Sequence, residues 1–260
     1  MRFIGLLLLV LIGSTGTAAD PRAKSGPVEV SSLEELKAKA AELGRPAAIL
    51  YQDTVSTCPL HNGQCARWID NPALNNFVIL KVDWKAKNDG VTAVNRLRDA
   101  SKDKAGNMIP MLFLVDDALA YKDVIPYKQD EAVTNKALLK QVDEYGVILP
   151  ASDVATIERE LLRVAPFLAE GKPDNARTTL KKIKPLAAQS PKAGFAKTYA
   201  IAEAAFNQHV IATCDVLLKT MIGKSVDERT QKITSILRKY KDLLSEATNT
   251  AITELAKKTE

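Results

Sequence analysis

The chain has 260 residues, of which 46% are hydrophobic and 26% charged, a balance that supports a buried core and excludes a globally disordered protein. Its length suits two modest domains. The formal net charge of +5 favours solubility and does not by itself argue for nucleic acid.

The N-terminus opens with Arg2, an apolar run over residues 3–12 and a tail of small residues ending in Thr17-Ala18-Ala19. This pattern predicts a signal peptide over residues 1–19, cleaved before Asp20; a buried N-terminal helix is the rival reading. The run is too short for a membrane span, and no later segment has the length or apolarity of one. The expected product is a secreted or periplasmic protein, in a compartment where thiols oxidise.

Residues 20–30 are polar and contain Pro and Gly, which predicts a flexible lead. Ser32 and Glu35 have capping-box spacing, so a helix is expected to open there and stop at Gly44. The run "AAILY" at 47–51 has the length of a buried strand, as have "VILKVDW" at 78–84 and "MLFLV" at 111–115. Helices are predicted over 91–100 and from about Thr134 to Tyr145, with a polar loop at 101–108. Beyond Gly146 the strand signal disappears and residues 152–260 read as successive helices, with breaks at 171–173, 190–194 and 221–225. The expected division is an α/β domain over 31–146 and an all-α helical bundle over 152–260. The positive excess falls in the second part, where Lys172, Arg177, Lys181, Lys182, Lys184 and Lys192 crowd together. They form either a solvated helix face or a docking surface for an acidic partner.

The order helix, strand, cysteine segment, strand, helix, loop, Ile-Pro, strand, helix resembles the thioredoxin-like superfamily. Three stretches carry the resemblance: "AILYQDTVSTC", "NNFVILKVD", which is similar to the extracytoplasmic branch, and "NMIPMLFLVD". It covers residues 31–145 and implies a thioredoxin-like fold, with Cys58 in the place of the nucleophile and Ile109-Pro110 as a cis bond facing substrate. The match departs at the motif itself. His61 stands where the family keeps its second cysteine, the next cysteine is Cys65, and Met111 replaces a threonine.

The segment "TVSTCPLHNGQCARW" leaves four chemistries open. At a helix N-terminus, which Pro59 favours, Cys58 would be a reactive thiol with His61 one turn away as a thiolate modulator. A Cys58–Cys65 disulfide, with Cys65 as the resolving partner, needs Cα atoms within about 7 Å, and seven helical residues span about 10.5 Å. That bond therefore requires the turn dipeptide Asn62-Gly63 to break the helix. Inert packing is the third option. A metal held by Cys58, His61 and Cys65 is opposed by the same length argument, so no metal is expected.

Cys214 lies on an apolar stripe with Val210, Ile211, Leu217, Leu218 and Met221, which predicts a buried core thiol, with His209 at the stripe's edge. "FLAEGKPDNARTTLKKI" weakly resembles half of a tetratricopeptide unit. Gly-rich phosphate loops, paired catalytic acids and Ser-His-Asp motifs are absent, and no cofactor is expected. Two functions compete: a thiol-disulfide or redox-related protein with an atypical site, and a non-catalytic scaffold whose helical part binds a protein partner.

Overall fold

The computed structural model describes residues 26–258, so the predicted signal peptide lies outside the described residues. In chain order the elements begin with β1 (Val28–Val30), α1 (Leu33–Leu43), β2 (Ala47–Gln52), α2 (Pro59–Ile69), β3 (Val78–Asp83) and α3 (Asp89–Ser101). They continue with β4 (Met111–Val115), β5 (Tyr121–Ile125) and α4 (Glu131–Asp143). Six helices follow: α5 (Ala151–Leu162), α6 (Val164–Ala169), α7 (Pro173–Gln189), α8 (Gly194–Lys219), α9 (Val226–Tyr240) and α10 (Glu246–Lys258).

The strands form one mixed sheet in the order β1-β3-β2-β4-β5. β3 runs parallel to β1 and β2, whereas β4 runs antiparallel to both β2 and β5. The three apolar runs read from the sequence are the three central strands. They are mostly apolar because both faces are covered, with Lys81 of β3 the exposed exception. On one face Ile49, Tyr51, Leu80, Val82 and Phe113 share a cluster with Leu36 and Ala40 of α1 and Val94 and Leu97 of α3. On the other, Leu50, Ile79, Leu112 and Leu114 pack with Trp68 of α2 and Leu138 of α4. Each fully buried Leu, Ile or Phe side chain contributes roughly 1.5–3 kcal/mol.

The structure corrects the lead: residues 28–30 are not a free tether but an edge strand. Val28 and Val30 are half-buried against the core, and the parallel register Val28↔Val78 pairs their backbone. β5 is an element the sequence reading lacks. Its residues "YKDVI" place two adjacent charges, Lys122 and Asp123, among apolar side chains, and its register against β4 shifts between Leu114 and Val115.

The predicted helix breaks at 171–173, 190–194 and 221–225 fall at helix junctions, with Pro173 and Gly194 the first residues of α7 and α8. The join between the sheet and α5–α10 is close. Gly44, at φ +60°, ends α1 so near α8 that a Cβ there would meet Ala193 Cα at 2.5 Å. Gly146, at φ +74°, lies equally close to Gln189 O. Val147 N–H donates to Gln189 O at 2.9 Å, and the Arg45 guanidinium donates to Asn75 O at 3.2 Å and Leu149 O at 3.0 Å. Leu36, Ala40 and Leu43 of α1 belong to the same continuous apolar cluster as Phe195, Phe206 and Leu218 of α8. Cys214 is fully buried in that cluster, as its stripe predicts, and burial pushes its thiol up to about 11.

Candidate functional site at the start of helix α2

The loop from β2 to α2 is pinned by its own polar residues. Asp53 Oδ1 accepts from Val55 N–H at 3.2 Å, which turns the chain as it leaves the strand. Thr54 N–H donates to Asp83 Oδ2 at 3.0 Å and its hydroxyl bonds the same oxygen. Trp84 N–H donates to Gln52 O at 2.9 Å, and Lys85 Nζ reaches Asp53 at 3.1 Å. That ammonium holds the Asp53 carboxyl below the ordinary carboxylate range. The Thr54 hydroxyl, followed by the Lys85 and Thr54 N–H groups, does the same for Asp83.

Cys58 follows as the N-cap residue of α2, with extended backbone (φ −73°, ψ 115°) and Pro59 in the first turn. It is exposed, its N–H donates to Ser56 Oγ at 3.2 Å, and no side-chain bond caps the helix end. The first-turn amides are therefore left without a side-chain acceptor, and Cys58 stands at that open helix end.

Asn62-Gly63 does not break the helix. Asn62 Nδ2 donates to Ser56 O at 2.9 Å and Asn62 N–H to Cys58 O at 3.1 Å, so the asparagine ties the first turn to the loop. α2 is then continuous from Pro59 to Ile69. The expected Cys58–Cys65 disulfide is corrected accordingly: both cysteines are free, separated by seven helical residues, or about 10.5 Å of axial rise. Cys65 is half-buried against the cluster beneath α2, and burial pushes its thiol up to about 11. A thiol so disfavoured as thiolate is a poor resolving group. His61 is buried one turn after Cys58, and its Nε2 accepts from Asp53 N–H at 3.3 Å. The ring therefore links α2 to the end of β2 rather than standing free beside the sulfur.

Ile109–Pro110 is cis, as the resemblance implies. The registers Gln52↔Asp83 and Tyr51↔Met111 place Asp53, Trp84 and Pro110 at one end of the sheet, the end from which the loop leads to Cys58. The sequence reading did not single out four apolar side chains exposed at this end: Val55 in the loop, Leu60 in the first turn of α2, Trp84 after β3 and Met108 two residues before Pro110. Trp84 was legible only as the end of an apolar run, and solvent exposure is what sets it apart. Among the described residues no cluster of His, Cys, Asp and Glu could hold a metal ion.

The basic cluster has internal partners. Arg177 and Lys181 pair with Asp242 at 3.0 and 3.3 Å, Lys182 with Glu160 at 3.2 Å, Lys184 with Glu203 at 3.7 Å and Lys172 with Glu170 at 2.7 Å. Lys192 Nζ lies 4.0 Å from the centre of the Tyr145 ring.

No protein-family model and no curated protein matches the chain. Among solved structures, one described as "DsbH Oxidoreductase" is similar at 12% identity, covering 49% of this chain and 94% of that one, with a TM-score of 0.34. So loose an overlap supports no functional inference.

Proposed function

We propose that residues 31–146 form a thioredoxin-like module joined to an α-helical one, and that the protein is a secreted or periplasmic thiol-disulfide protein that works through a single thiol, Cys58. The observation that carries this reading is Cys58 itself, exposed at the uncapped N-terminus of α2. The exposed Val55, Leu60, Trp84 and Met108 offer apolar contact to a protein substrate, and Ile109-Pro110 lies at the same sheet end. In the proposed step the Cys58 thiolate attacks one sulfur of a substrate disulfide. A new S–S bond forms, the old one breaks, and the departing sulfur leaves as a thiolate that takes a proton from water. With Cys65 out of reach, a second thiol from solution completes the exchange.

Reaction with an aromatic disulfide, followed by mass spectrometry, tests this. The expected adduct is on Cys58, is lost in Cys58→Ser and is retained in Cys65→Ser. Labelling that persists in Cys58→Ser and vanishes in Cys65→Ser overturns the assignment.

The second reading, a non-catalytic binding module, is favoured by the missing Cys-x-x-Cys. It uses the same apolar end for docking. It predicts no acceleration of protein-disulfide reduction over that given by an added small thiol alone.

A further inference from the structure

Between α2 and the start of α4 lies a cavity of about 100 Å³ lined by Gln64, Arg67, Trp68, Asn71, Glu131 and Thr134, together with Gln129. It is independent of the thiol chemistry above. Two of its lining residues carry buried donors with no partner in the protein: Trp68 Nε1 and Thr134 Oγ1. Trp68 is 2% exposed and Thr134 3%. Buried polar atoms are nearly always hydrogen-bonded, and each one left unpaired costs about 1–3 kcal/mol. The hydroxyl of a helical threonine usually satisfies itself on the carbonyl four residues back; Thr134 does not, although its N–H bonds Asp130 O at 2.9 Å. An indole N–H can only donate, and a guanidinium can only donate. Arg67 Nη2 is turned along the wall by a 2.8 Å bond to Gln64 Oε1, and Asn71 Nδ2 is engaged by Asn135 Oδ1 at 2.6 Å. The wall is thus rich in donors, with one cation and, at the rim, one carboxylate, Glu131.

We infer that this cavity binds a small free monocarboxylic acid, its carboxylate accepting from Trp68 Nε1–H and Thr134 Oγ1–H beside the Arg67 charge. The small volume suits a ligand of a few non-hydrogen atoms. Glu131 sets the charge, because a dianion such as phosphate meets a repulsion that a monoanion with one negative charge feels less.

The test reads Trp68 directly. The chain has two tryptophans, so Trp84→Phe leaves Trp68 as the single tryptophan, excited selectively at the red edge of the indole band. Sodium acetate is titrated against sodium chloride at matched ionic strength, and the Trp68 emission and indole N–H proton resonance are followed. The expected result is a saturable shift with acetate, a weaker response to phosphate and none to chloride. Thr134→Val, which removes the hydroxyl and nearly keeps the shape, should weaken acetate at least tenfold without lowering the melting temperature. A non-saturating response, or equal responses to acetate and chloride, overturns the inference and leaves water as the occupant. So does unchanged acetate affinity in Thr134→Val. Should that variant fail to fold, the wild-type indole resonance decides alone: no saturable shift with acetate overturns the inference.

Discussion

The three cysteines differ in surroundings far more than in sequence. Cys58 is exposed at a helix end, Cys65 half-buried on the sheet side of the same helix and Cys214 fully buried between helices. Alkylation of reduced native protein should therefore modify Cys58 first. Cys65 should stay unmodified until pH approaches about 11, and Cys214 should be modified only on unfolding, which a mass-spectrometric time course checks. The same burial links pH to stability. A thiol raised in the folded state favours folding below its unfolded value, and that contribution is lost as pH rises from the free-thiol range toward about 11. Cys65→Ala should flatten part of the fall in urea midpoint across that window. The place of Cys58 was legible in the sequence, because Pro59 after a strand marks a helix start. Its failure to meet Cys65 was not. Asn62-Gly63 is a turn signal until one knows that the Asn62 amide finds Ser56 O.

Each helix and strand tests a local rule against its neighbours. Gly63 sits within α2 with nothing within 4 Å of where a Cβ would be, and its φ is not positive. Gly63→Ala should stabilise the protein by about 0.5–1 kcal/mol, read as a rise in urea midpoint. Gly44 and Gly171 share a left-handed φ, +60° and +69°, but differ in company. Gly171→Ala meets open space and should cost about 1–2 kcal/mol, the backbone penalty alone. Gly44→Ala also drives a methyl into the Ala193 backbone and should cost clearly more than Gly171→Ala in the same denaturation experiment. The central strands and most helices were legible from apolar runs, caps and glycines. β1 and β5 escaped because three residues, or five with two adjacent charges, carry too little pattern. Pairing with a neighbouring strand supplies what the sequence does not.

At the scale of the whole molecule, the change from alternating strands and helices to helices alone was plain at Gly146. The closeness of the join was not, because it rests on contacts between residues about 150 positions apart, Gly44 with Ala193. One apolar cluster runs from α1 through α8, so full-length protein should unfold in a single transition. Both tryptophans lie before Gly146, whereas α5–α10 supply most of the helix. Fluorescence and far-ultraviolet circular dichroism therefore watch different ends of the chain, and their denaturation curves should coincide. Two separated midpoints would show that the ends fold independently. The fused core also has a consequence for leverage. With no slack at the Gly44–Ala193 contact, the helical end cannot swing toward the thiol like an arm on a joint. Whatever it holds is presented to Cys58 at one span, fixed when the chain folds, so that choice among targets becomes a matter of reach.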